Sequence, residues 1–141
     1  MTMTLKPRHE TFIHTDAELT KLWEQIMGPG GFARRSIWHI FFDARGQMCP
    51  AVVPIDDIPL EPDGLLLDNL GYVVAEVTRG NDVASCAVAL SRPGERGMTA
   101  ADRRRAWSLH ATFASTLRLW PIHLATPGHV QIFAPDDLVA A

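Results

Sequence analysis

A chain of 141 residues fits one domain and is long enough to bury about two-thirds of its unfolded surface. Hydrophobic residues at 47%, charged residues at 21% and a mean hydropathy near zero describe a globular protein and exclude a disordered, highly charged chain. A formal net charge of −3 argues against general affinity for nucleic acid or anionic membranes, and no apolar run is long enough to span a bilayer.

Residues 1–14 are polar, carry no apolar signal core, and read as an N-terminal arm. In "HTDAELTKLWEQIMGPGG", Thr15 and Glu18 form a capping box. Leu19, Leu22, Trp23 and Ile26 recur at helical spacing, and Gly28–Pro29 ends the run. Residues 1–31 are thus expected to be an arm, a helix and a Gly-rich hinge, with the main domain over 32–141. "GPGG" is too short for a phosphate loop and lacks its Lys-Ser/Thr.

"SIWHIFFD", 36–43, is apolar on both alternating faces, which predicts a strand covered on both sides. "DARGQ" reads as a tight turn into a second strand, "MCPAVVPI", 48–55. Pro50 and Pro54 lack the ladder donor on the same side, which predicts an edge or a bulge. After a Pro/Asp-rich connection, Leu66, Leu70, Val73, Val74 and Val77 share one helix face, with Asp63 as cap and Gly80 at the end.

"ASCAVAL", 84–90, predicts a buried strand. "TAADRRRAWSLHATFASTLRL", 99–119, predicts a helix capped by Thr99, with Ala106, His110, Phe113, Ala114 and Leu117 as its apolar stripe. "WPIHLAT", 120–126, and "HVQIFAP", 129–135, read as a hairpin about Pro127–Gly128. The order predicts an α/β (α+β) sandwich, a mixed β-sheet flanked by helices. Cys49 and Cys86 are isolated in apolar stretches, so reduced thiols and a cytoplasmic location are expected. Trp23, Trp38, Trp107 and Trp120 read as core or interface anchors.

Several local phrases resemble the JAB/MPN metalloprotease family, and in particular its RadC-like branch, over roughly residues 34–135. "IFFDARGQM" resembles the family's opening strand and turn. "NDVASCAVALSRPGERGMTAADRRRAWSL" resembles the stretch through the His-x-His-Pro loop and the Ser-x-x-Asp helix start, and "LWPIHLATPGHVQIFAP" resembles the closing hairpin. The resemblance implies a cytidine-deaminase-like, JAB-type architecture. In catalytic members two histidines and an aspartate bind zinc, and an upstream glutamate activates the bound water.

Carried over by position, the histidines fall on Leu90 and Arg92 and the glutamate falls near Arg35. Only Pro93, Thr99 in place of serine, and Asp102 match. One carboxylate cannot hold a catalytic zinc, so the resemblance implies a domain without cofactor or hydrolase chemistry, with Arg92 paired to Asp102 in place of the ion. Such a domain is expected to bind another protein or a second copy of itself. Two alternatives stand beside it. One is a shifted metal site drawn from Asp102, His110, His123 and His129. The other is nucleic-acid contact through Arg103–Arg105, against which stands the 100° fan of successive helix residues. His39 and His110 read as core histidines, and Thr99 with Asp102 has an ordinary reading as a helix cap.

Overall fold

A computed structural model of the chain describes residues 11–59, 64–80, 82–114 and 117–138. Its helices are α1 (Asp16–Met27), α2 (Gly64–Gly80) and α3 (Ala100–Phe113). Its strands are β1 (Ser36–Phe42), β2 (Met48–Asp56), β3 (Ser85–Ser91), β4 (Arg118–Leu119), β5 (His123–Thr126) and β6 (His129–Ile132). The fold is mixed α/β. The sheet runs β2-β1-β3-β5-β6, with β4 also paired to β3. β1 is antiparallel to β2 and β3, whereas β5 runs parallel to β3 and returns to it through α3.

Alternation along the strands builds two cores. Ile37 and Phe41 of β1 and Cys86, Val88 and Leu90 of β3 face α2 and α3, where Leu70, Val74, Ala106, Leu109 and Phe113 cover them. Ile40, Phe42, Ala87 and Ala89 face the other way and meet Leu19, Leu22, Trp23 and Ile26 of α1. The helix assigned by sequence to an N-terminal element before residue 32 therefore supplies one whole side of the sandwich. All seven residues of β3 are buried, which is why its sequence is apolar without alternation.

Both capping boxes form. Thr15 Oγ1 accepts from the Glu18 amide and Thr99 Oγ1 from the Asp102 amide, and each acidic partner accepts from the cap's own amide. β2, which carries Pro50 and Pro54, lies at the sheet edge as its missing donors require. Asp43 closes the β1–β2 turn by accepting from the amides of Arg45 and Gln47.

Four expectations are corrected. The last helix ends at Phe113, not 119, because Arg118–Leu119 pairs with β3 instead. Its buried stripe is Asp102, Arg105, Ala106, Leu109 and Phe113, so His110 and Ala114 lie exposed; the polar pair on the inner face displaced an apolar count. Val73 of α2 is also outside, at 47% exposure. The closing hairpin is shorter than its sequence suggests. Pro121 cannot donate to the ladder, and Pro135 opens a short 3-10 turn, Pro135–Leu138. The cap expected at Asp63 lies outside the described residues.

Candidate functional site

β3 delivers three successive side chains to one end of the sheet. Leu90 is buried between Ile37 and Leu124 in the α2/α3 core, and Ser91 turns to the opposite face, where its Oγ accepts from the Trp38 indole N–H at 2.9 Å. Alternation then returns Arg92 to the α3 side. Its amide donates to the Ala125 carbonyl, which fixes the backbone before the loop begins.

The Arg92 guanidinium spends all five of its N–H groups. Nε donates to Asp102 Oδ1 and Nη2 to Asp102 Oδ2, both at 2.8 Å, in a two-pronged ion pair. Nη1 donates to the carbonyls of Pro93 and Glu95, and Nη2 also reaches the Gly97 carbonyl at 2.9 Å. The loop is wound around the cation. Gly94 sits at φ +102, and a Cβ there would stand 3.3 Å from Arg92 Nη1, so the sharp turn and the close approach both favour glycine.

Asp102 is fully buried and equally committed. Besides Arg92 it accepts from the Thr99 amide at 2.9 Å and from Arg105 Nη2 at 2.5 Å, so each oxygen holds two donors. Burial pushes its carboxyl upward. The bonds from Arg92 and the Thr99 amide, with the charges of Arg92 and Arg105, outweigh that and hold it below the ordinary carboxylate range. The Asp102 bonds keep Arg92 above even its usual basicity, against the effect of burial.

Arg35 stands just before β1, whose first residue, Ser36, pairs with Ser91, the neighbour of Arg92. Its Nε is buried with no hydrogen-bond partner among the described residues. Beside it, Arg34 meets Asp56 and Asp57 at the surface, at 3.8 and 3.5 Å. The structure thus brings Arg35, Leu90, Arg92, Pro93, Thr99 and Asp102 to one end of the sandwich.

These residues do not fit a zinc ion. Leu90 offers no donor atom, Arg92 and Arg35 are cations, and the acceptor sites of Asp102 are taken. Nor are the shifted ligands together. His123 faces α1, where Thr20 Oγ1 lies 2.7 Å from Nε2 and the Pro121 carbonyl lies 3.1 Å from Nδ1. Asp102 and the exposed His110 are on α3, across the sheet. His129 begins β6, beside a cavity lined by Glu24 of α1. Among the described residues no three His, Cys, Asp or Glu side chains are grouped to hold a metal ion. His39 is buried against Phe41 and Phe113, as its strand face predicts.

The arginine run divides. Arg103 pairs with Asp137 at 3.6 Å, and Arg105 is buried on Asp102, so that residue is not presented to a nucleic-acid partner. The 102–105 spacing is the signal that could have found it, since residues three apart on a helix are neighbours. Among the described residues no helix is long and apolar enough to cross a membrane. Compared with known proteins, the chain matches no protein-family model and no curated protein.

Proposed function

We propose that this chain is a JAB-like domain of the RadC-like branch whose metal centre has been replaced by a guanidinium, and that it acts as a protein-binding or scaffold module without zinc hydrolase activity. One observation carries the reading: Arg92 stands at a motif histidine position and occupies Asp102 with two parallel hydrogen bonds while the loop carbonyls close around it. A loop that spends three carbonyls and a buried carboxylate on one arginine is built for that cation. The apolar core beside it, with Leu90, Ala106, Leu109 and Leu124 buried, supports the reading of a frame that outlasts its ligands.

Contact with another protein is supported by apolar side chains that the fold leaves outside, Leu65, Tyr72 and Val73 on α2 and Trp107 on α3. The free thiols of Cys49 and Cys86, both held in the protonated form by burial, fit a cytoplasmic setting.

The test is metal content and melting of protein purified with zinc in the medium. The expected result is less than stoichiometric metal and a melting temperature unmoved by chelator or by added zinc. About one zinc per chain, with a melting temperature that falls on chelation, would overturn the reading. Light scattering across a concentration series then separates the two binding modes: a dimer indicates self-association, and a monomer throughout leaves a different protein as the partner.

A further inference from the structure

The opposite end of the sheet, roughly 20 Å from Arg92 along β3 at the usual strand rise, holds a cavity of about 160 Å³. Four segments line it: residues 13–14 before α1, the β1–β2 turn, the start of β3, and the stretch from Arg118 to Trp120. Its charge is positive. Asp43 points its carboxylate back into its own turn, onto the amides of Arg45 and Gln47, with the Arg45 guanidinium 3.6 Å away. Arg118 has no acidic partner among the described residues; its guanidinium lies over the Trp120 ring, 5.0 Å from the centroid. Stacking on an indole holds the cation at the cavity without neutralising it.

A neutral donor is placed there as well. Ser85 is 6% exposed, and its Oγ accepts from the Trp120 indole N–H at 3.0 Å. The hydroxyl proton is donated to no acceptor among the described residues, so it remains for a ligand. Apolar wall comes from Ile13, Ala44, Ala84 and the indole.

We propose that this cavity binds a small oxyanion, a carboxylate or a phosphate, through the Arg118 guanidinium and the Ser85 hydroxyl, with Arg45 at its rim. The volume is below that of pockets for drug-sized molecules, and it suits inorganic phosphate or a carboxylate of a few carbons. A guanidinium fixed over an aromatic ring presents its planar fork to such a group with little ordering left to do. The site is independent of the Arg92 centre and stands or falls separately from it.

The test is a titration of the whole chain with inorganic phosphate in one arm and acetate in the other, at constant ionic strength. The readout is the indole N–H resonance of Trp120 in nitrogen–proton correlation spectra. The expected result is a saturable shift with at least one of the two anions, and the anion that saturates at lower concentration assigns the chemistry. Arg118→Gln, at an exposed position, should weaken binding about tenfold, the worth of one charge-assisted hydrogen bond. Arg79→Gln, on the exposed side of α2, should leave it unchanged. A Trp120 signal that fails to saturate with either anion, or that saturates equally in Arg118→Gln, or that is weakened as much by Arg79→Gln, would overturn the proposal.

Discussion

Asp102 concentrates the physical argument at the scale of one residue. A carboxylate with no exposure is tolerable only when its charge and its lone pairs are answered, and here two guanidiniums and an amide do so. Removing it leaves the buried Arg92 guanidinium without its acid and takes one ion pair from Arg105. Asp102→Ala should therefore cost about 3–5 kcal/mol in denaturant unfolding, the range for breaking one side of a buried pair. A loss under about 1 kcal/mol would show that water reaches the arginines. The carboxyl is held below its ordinary value, so its contribution is present above the unfolded-state value of about 3.9 and is lost as pH falls from there through the folded one. Stability of the native chain should thus decline below about pH 4, and Asp102→Asn should lack that part of the decline. Thr99 and Asp102 were legible as a cap from their spacing alone. The Arg92 partnership was reachable only through the resemblance, because nothing local ties a loop arginine to a carboxylate ten positions on. Arg105 stayed hidden because which helix face is buried depends on the sheet beneath it.

At the scale of one element, α1 shows how a short helix is fixed to a sheet. Its apolar face buries Leu19, Leu22, Trp23 and Ile26, and the capping box sets its start. Thr15→Ala should cost about 1 kcal/mol, read from the unfolding midpoint. A polar contact adds direction: His123 Nδ1 lies 3.1 Å from the Pro121 carbonyl and Nε2 lies 2.7 Å from the Thr20 hydroxyl of α1, which also reaches the Asp16 carbonyl at 3.1 Å. Burial, opposed by the Pro121 carbonyl and the charge of Asp16, lowers the His123 imidazole to about 4. The folded state therefore favours the neutral ring. Stability linked to His123 is present above the unfolded-state value of about 6.5 and is lost as pH falls from there through about 4. Between pH 7 and pH 5 the native chain should lose about 2 kcal/mol that His123→Gln does not lose. Equal pH slopes for the two proteins would remove His123 from the account. The sequence marked α1 by periodicity and caps, yet it could not show which histidine the helix would meet. That pairing spans 103 positions and is settled by β5 lying beside β3.

For the molecule as a whole, the division of the chain before residue 32 has physical consequences. The hinge glycines made the first helix look separable, and the strand pattern gave both faces of β1 and β3 as apolar without saying what covers each. In the structure, α1 covers one face alone, while α2 and α3 share the other. Without α1, Ile40, Phe42, Ala87, Ala89 and Trp120 would lose their cover, and an apolar face of that extent is not sustained by a monomer in water. A chain beginning at residue 32 should therefore lack a cooperative thermal transition and a dispersed amide spectrum. In the full chain, Leu22→Ala should cost about 2–5 kcal/mol and keep a single transition, because the cavity it opens lies inside one folding unit. Amide exchange supplies an independent reading: the α1 amides should share the protection class of the fully buried β3, while the edge strands β2 and β6 exchange sooner. A folded, cooperative 32–141 chain, or α1 amides that exchange far ahead of β3, would make α1 an appendage and return the boundary to where the glycines suggested it.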